Sequence, residues 1–132
     1  MKTLNDYIEE YINQNKEDFS NSKIEKLRNH NFNHVDVTGI FESIVMDLND
    51  GWKPNFTSSK WEDWGYCIYH FLRNGGHSYY GVTAGGFCWR LLSAAGDAAL
   101  RTIGARSLFK SKELAEKAIE ICGTDFLNLL FG

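Results

Sequence analysis

Apolar residues recur at helical spacing near both ends of this 132-residue chain. Thr3 has the properties of a helix cap, and Asp6 follows it in capping-box spacing. The apolar residues that follow this cap lie on one face of a helix, which we expect to end near residues 13–15. They are Leu4, Ile8, Tyr11 and Ile12.

Two further helices are predicted before the first glycine-rich stretch. A short one runs from Ser22 to Asn29, and a longer one from about Val37 to Asn49. Asp36 is the expected cap of the longer helix, and Gly51 suits the left-handed position after its end. The apolar stripe of the longer helix is formed by Ile40, Phe41, Ile44, Val45 and Leu48.

The spacing of apolar residues changes after Trp61 from a helical period to the alternation that is typical of strands. Tyr66–Leu72 is predicted as a strand with apolar residues on both faces, and the Asn74-Gly75-Gly76 turn signal returns the chain into a second strand over Ser78–Val82. Further short strands are predicted at Phe87–Leu92 and Ser107–Phe109.

A clear helix follows, with Ser111 as its cap and Gly123 as its stop, before a final helical turn that packs back. This order predicts an α+β fold with N-terminal helices, a small antiparallel sheet in the middle and a C-terminal helix packed on it. We expect a single domain over residues 1–132, made of an acidic helical part (1–50), an aromatic, glycine-rich β part (51–110) and a C-terminal helical part (111–132).

Composition excludes several classes of protein. Hydrophobic residues make up 43% and charged residues 23%, which is typical of a globular domain and not of a disordered one. No apolar run approaches the ~18 residues that a membrane span needs. The N-terminus has no apolar signal segment, so we expect a cytoplasmic protein whose three cysteines are reduced.

Charge is distributed unevenly along the chain. Residues 1–50 carry five Lys/Arg against ten Asp/Glu, whereas residues 51–112 carry eight against three. The middle of the chain also holds all four tryptophans and nine of the twelve glycines. A basic, aromatic segment between acidic ends favours an anionic ligand, although such charges also simply solvate a surface.

The predicted ligand-binding residues combine aromatic rings for stacking with arginines for phosphate. Base stacking with Arg on phosphate is the usual recognition chemistry of nucleotides. The candidates are Trp61, Trp64, Arg73, Tyr79, Tyr80, Arg90, Arg101 and Arg106. Three other aromatic residues, Trp52, Phe71 and Trp89, are predicted to lie in the core.

Metal binding and catalysis are disfavoured, and no metal or cofactor is expected. Cys67, His70, His77 and Cys88 match no standard finger spacing, and residues 67 and 70 of one strand would point to opposite faces. A thiol enzyme built from Cys88, His77 and Asp97 stays an alternative, but apolar surroundings make a thiol inert.

Three stretches resemble small accessory proteins of bacteriophages and prophage-like elements. They are the helix end and following turn at Leu48–Phe56, the aromatic cluster Trp61–Phe71, and Gly104–Ala118 with its FKSKELAEKA segment. The resemblance covers roughly residues 40–132 and implies a phage accessory role in the host bacterial cytoplasm. It implies no site residues.

Together these observations predict a non-catalytic binding protein that inhibits a host system such as a defence pathway. In one version the middle segment sequesters a small nucleotide-like anion, and in the other this segment or the acidic first helix docks on a host protein. A single-stranded nucleic-acid-binding factor is the alternative, and overall acidity counts against it. Self-association is left open, and no membrane partner is expected.

Overall fold

The structure, a computed structural model, describes residues 2–73, 75–84 and 108–131. In these ranges four helices flank one antiparallel hairpin, which confirms the predicted α+β class with the C-terminal helix packed on the sheet. The elements are α1 (Leu4–Gln14), α2 (Asn21–Arg28), α3 (His34–Asn49), β1 (Tyr66–Arg73), β2 (His77–Ala84) and α4 (Lys112–Phe131), with a short 3-10 turn at Trp61–Trp64 before β1.

The beginnings of α1 and α4 confirm the predicted caps. The Thr3 hydroxyl accepts the Asp6 N–H, the Asp6 carboxylate accepts the Thr3 N–H, and Ser111 Oγ accepts the Leu114 N–H. Gly123 interrupts α4 with φ of 77° and ψ of 162°, so the helix is broken there and resumes. Each of these features depends on contacts within a few residues, which sequence patterns report directly.

The predicted start of α3 is wrong, whereas α2 begins at Asn21, one residue before the predicted start. The side chain of Ser20, two residues before the predicted start at Ser22, caps α2 by accepting the Lys23 N–H. Asn33 caps α3, and Asp36 instead occupies the third helical position, where its carboxylate accepts the Asn33 N–H. Both Asn and Asp cap helices well, so the sequence alone does not separate them.

Asp36 is 2% exposed and lies where three helices meet. Lys23 of α2 forms an ion pair with its Oδ2 at 2.5 Å, and the Tyr11 hydroxyl of α1 donates to its Oδ1 at 3.0 Å. The Tyr11 ring packs directly against Gly39 of α3. A Cβ at position 39 would lie 2.7 Å from Tyr11 Cε1, so a larger residue would displace the ring. One buried carboxylate therefore joins α1, α2 and the first turn of α3.

The hydrophobic core lies between the four helices and the hairpin. It is built from aliphatic and aromatic side chains on the inward stripe of each helix, with Ile68 and Phe109 closing the sheet side. Its fully buried large members include Tyr7, Ile8, Leu27, Ile40, Ile44 and Leu127.

The start of β1 is tied to the segment before α4. Tyr66 and Phe109 form an isolated antiparallel bridge with N···O distances of 2.8 and 2.7 Å. This confirms an extended residue at the end of the predicted Ser107–Phe109 strand, whereas Ser107 and the predicted Phe87–Leu92 strand lie outside the described residues. Across the described ranges, no helix combines the length and apolarity needed to cross a bilayer.

We expect Asp36→Ala to lower the free energy of unfolding by about 3 kcal/mol or more, because it leaves the Lys23 ammonium without its carboxylate and removes half of the α3 capping box. Urea unfolding measures the change. The matched control is Asp6→Ala, which removes the equivalent residue of the exposed α1 capping box and should cost about 1 kcal/mol or less. Equal losses in the two variants would refute the central role of Asp36.

Stability should also decline in alkali because of Tyr11. Burial, aided by the hydrogen bond to Asp36, raises the pKa of Tyr11 from 10.0 to about 12. The folded state therefore holds this proton more tightly than the unfolded state, so the stabilisation is complete below pH ~10 and is lost as pH rises towards ~12. The pKa of Tyr7 is raised in the same direction, first by burial and then by its hydrogen bond to Asp47.

The test is urea unfolding at a series of alkaline pH values. We expect Tyr11→Phe to flatten the alkaline decline, whereas Tyr79→Phe, which changes an exposed phenol, should leave its slope unchanged. An unaltered slope in Tyr11→Phe would contradict the assignment.

Candidate ligand-binding surface on the hairpin

The hairpin has one face towards the core and one face away from it. Strand alternation places Ile68, His70, Tyr80 and Val82 on one face, and the cross-strand pairs Tyr69↔Gly81 and Phe71↔Tyr79 on the other. The first face packs on α4, where the Phe131 ring lies 5.4 Å from Tyr80 and 6.4 Å from His70 between centroids. The second face is therefore supported from behind by the core.

We call the second set the aromatic face: Tyr69, Phe71, Tyr79 and Gly81. The Phe71 and Tyr79 rings are stacked across the strands, with centroids 5.7 Å apart and planes inclined by 21°. Tyr69 continues the row along β1, with its centroid 5.5 Å from that of Phe71. Tyr79 is 39% exposed, so the row is open to solvent at its turn end.

Gly81 makes room for one ring of this row. A Cβ at position 81 would lie 2.6 Å from both Cζ and Oη of Tyr69, so the Tyr69 ring crosses the glycine backbone of the neighbouring strand. Any larger residue would push the ring out of its place. The glycine thus explains how a bulky side chain can lie flat on this part of the sheet.

An arginine and a histidine occupy the last ladder positions before the turn. Arg73 and His77 form the last pair of the ladder, next to the Phe71↔Tyr79 pair in register along this face. Gly75 and Gly76 in the turn have φ of 82° and 99°, a region that glycine adopts without strain, which explains the Asn-Gly-Gly sequence.

The structure separates the two predicted tyrosines. Tyr79 belongs to the aromatic face, whereas Tyr80 lies on the opposite face, where its hydroxyl donates to Asn128 Oδ1 at 2.5 Å. Burial raises the pKa of Tyr80. One ligand on the aromatic face cannot contact both residues, and Tyr80 serves to hold the hairpin on α4.

Trp64 has a local structural role. Its Nε1 donates to the Ser58 carbonyl oxygen at 3.0 Å, and its half-buried ring meets the Phe56 ring edge-on at 5.9 Å. Trp61 begins the same 3-10 turn. The other predicted ligand residues, Arg90, Arg101 and Arg106, lie outside the described residues, as does Trp89.

Cysteine chemistry differs from the prediction. Cys67 is disulfide-bonded, so the expectation of three reduced thiols is wrong. Cys122 is a free, buried thiol whose pKa burial raises to about 12, which makes it a poor nucleophile. The predicted thiol-enzyme residues Cys88 and Asp97 lie outside the described residues.

No cluster suited to a metal ion occurs among the side chains that the structure describes. His70, one of the residues considered for a metal, is paired through Nε2 with Ser78 Oγ at 3.0 Å. Alternation along β1 places Cys67 and His70 on opposite faces, as expected from their spacing.

Sequence reasoning missed Tyr69 and Gly81 and assigned Phe71 to the core. Phe71 is only half-buried and lies in the aromatic row. The sequence contained a signal for both residues, because the turn between two strands sets the register of their pairing. In the observed register Tyr69 lies opposite Gly81, and Phe71 lies opposite Tyr79. Because β1 has apolar residues on both faces, the sequence did not indicate which face packs on the core.

Comparisons of the chain with protein-family models, with curated proteins and with solved structures found no match in any of the three. No family is therefore assigned, and the resemblance to phage accessory proteins stays a prediction.

We expect Gly81→Ala to displace the Tyr69 ring, with a loss of stability of about 1 kcal/mol, because the new methyl group overlaps the far end of that side chain. The ring-proton chemical shifts of the aromatic row and urea unfolding report the two effects. In a Tyr69→Ala background the same change should be neutral or stabilising, since alanine suits a strand better than glycine. An equal cost in both backgrounds would rule out the proposed contact.

Proposed function

We propose that the protein is a non-catalytic binding protein whose aromatic face holds the planar ring of a small anionic, nucleotide-like ligand. The single observation that carries this proposal is the Phe71–Tyr79 stack, whose rings are inclined by 21° and whose Tyr79 member is 39% exposed. Stacking of a base on an aromatic ring is worth about 1–3 kcal/mol in proteins that bind single-stranded nucleic acids.

The rigidity of the support strengthens the proposal. The opposite face of the hairpin is fixed to α4 by the Tyr80–Asn128 hydrogen bond and by the Phe131 ring. A surface that is ordered before binding loses little conformational entropy when it takes up a ligand. The side chains of the aromatic face are therefore well suited to hold a flat ring.

The phosphate of such a ligand would bind at the turn end. Arg73 occupies the ladder position that follows Phe71 along this face. The guanidinium group of an arginine can donate two parallel hydrogen bonds to phosphate oxygens. The surrounding segment, residues 51–112, carries five more basic than acidic residues. A mononucleotide spans these two features better than a long strand does, because the acidic residues 1–50 would repel an extended phosphate backbone.

In the proposed biological context, the protein is a phage-type accessory factor in the host cytoplasm that withdraws a nucleotide signal from a defence system. This context comes from the resemblance of residues 40–132. The geometry supports the ligand class, not the context.

Docking on a host protein is a second candidate function, favoured by a specific observation. Leu72 at the hairpin end is 61% exposed and Leu129 of α4 is 47% exposed. The buried core of a protein interface is richer in apolar area than the rest of a protein surface. The same residues could join two copies of this chain.

We expect adenosine monophosphate to bind, and Tyr79→Ala to weaken binding about tenfold or more because it removes one ring of the stack. Isothermal titration calorimetry measures the affinity. Phe56→Ala is a matched control, because Phe56 is also 39% exposed but lies outside the hairpin. Arg73→Ala should weaken binding of the monophosphate and leave binding of adenosine unchanged.

Three results would overturn this function. They are an absence of binding by adenosine monophosphate and its guanine and pyrimidine counterparts, equal effects of Tyr79→Ala and Phe56→Ala, or tighter, steeply salt-dependent binding of an oligothymidylate. The last result would establish the single-stranded nucleic-acid alternative. Sedimentation velocity on the same samples would report self-association.

A further inference from the structure

A cavity lies at the end of α3, and no residue of the aromatic face lines it. It has a volume of about 610 Å³ and an open mouth, and most of its wall is apolar. We call it the α3 cavity, and its apolar lining consists of Val45, Met46, Trp52, Pro54 and Leu108. From its shape and charge we infer that it binds a small amphipathic anion, an apolar chain or ring that ends in a carboxylate.

The wall of the cavity is formed by a sharp turn of the backbone. Asp50 and Gly51 have φ of 45° and 86°, and the Trp52 N–H donates to the Asn49 carbonyl oxygen at 3.0 Å. This reversal brings Trp52 and Pro54 back alongside α3. The Trp52 ring is held by close approach to Gly65, where a Cβ would lie 2.7 Å from Trp52 Cη2.

The buried Asn49 fixes the remaining wall. Its Nδ2 donates to the Leu108 carbonyl oxygen at 2.9 Å, and its Oδ1 accepts the Lys110 N–H at 3.0 Å. One side chain thus clamps the backbone on both sides of Phe109 to the end of α3. Because these hydrogen bonds fix the lining, the cavity is preformed, as small-molecule sites usually are.

The polar groups of the cavity indicate the charge of its ligand. Lys53 lines the cavity and is exposed, and within the described residues its ammonium group has neither a hydrogen bond nor an ion pair. Glu42 also lines the cavity, but it already has an interaction of its own. The cation is therefore the group available to a ligand, and it would meet a carboxylate at the mouth.

The apolar part of the ligand is indicated by Met46. This side chain is 74% exposed although it lies beside Val45 and Trp52, so a bound chain or ring would cover it. Methionine adapts to ligands of differing shape. The volume falls within the range of about 300–1,000 Å³ that is usual for small-molecule sites.

Met46 also provides a direct test, because the chain contains only two methionines, Met1 and Met46. With methyl-labelled methionine, one of two resonances reports on the α3 cavity. Titration with decanoate below its micelle concentration should shift the Met46 methyl resonance saturably. Decanol and decylammonium, which share the chain but not the negative charge, should bind more weakly by about fivefold or more.

Reversing the charge of Lys53 distinguishes binding in the α3 cavity from nonspecific binding of a surfactant to the protein surface. Lys53→Glu should weaken decanoate binding by about fivefold or more, whereas Lys60→Glu, in the same loop but outside the cavity lining, should not change it. An unshifted Met46 resonance, or equal affinity for decanoate and decylammonium, would overturn the inference.

The outcome is independent of the hairpin function. Tyr79→Ala should leave decanoate binding unchanged, and adenosine monophosphate should leave the Met46 resonance in place. Competition between the two ligands for the α3 cavity would contradict the assignment of two separate sites.

Discussion

The structure depends on one buried negative charge. The Asp36 carboxylate accepts hydrogen bonds from the first turn of α3 and from Tyr11, and it pairs with Lys23, so three helices share one acceptor. A buried charge is costly unless every partner is in place, which makes this arrangement specific as well as stabilising. On its other side α3 packs against α4, and α4 in turn supports the hairpin.

That support decides what the hairpin can do. A two-stranded sheet alone is marginally stable in water, but here one face is packed on α4 and the start of β1 is bridged to Phe109. The remaining face can then carry stacked aromatic rings without having to form a core. The α3 cavity has a similar origin, because Asn49 clamps a distant segment to a helix end and leaves an apolar space between them.

Local chemistry was sufficient to predict most of the helices and the hairpin. The capping box at Thr3, the stop at Gly123 and the Asn-Gly-Gly turn each involve neighbours in sequence, and the structure confirms all three. The start of α3 was misassigned because Asn33 and Asp36 both have capping chemistry. Only the Lys23 ion pair, a contact between helices, shows why the aspartate is the buried partner.

The sequence by itself therefore determined the four described helices and the hairpin to within a few residues, and the α+β class. Strand alternation also implies opposite faces for Tyr79 and Tyr80, although both were predicted for one site. Tertiary structure decided which hairpin face meets α4, since β1 is apolar on both faces. It also placed the Tyr69 ring over Gly81 and brought Leu108 to Asn49 across 59 positions of the chain. These outcomes result from packing between distant segments, whose energies depend on shape and burial and leave no periodic pattern in the sequence.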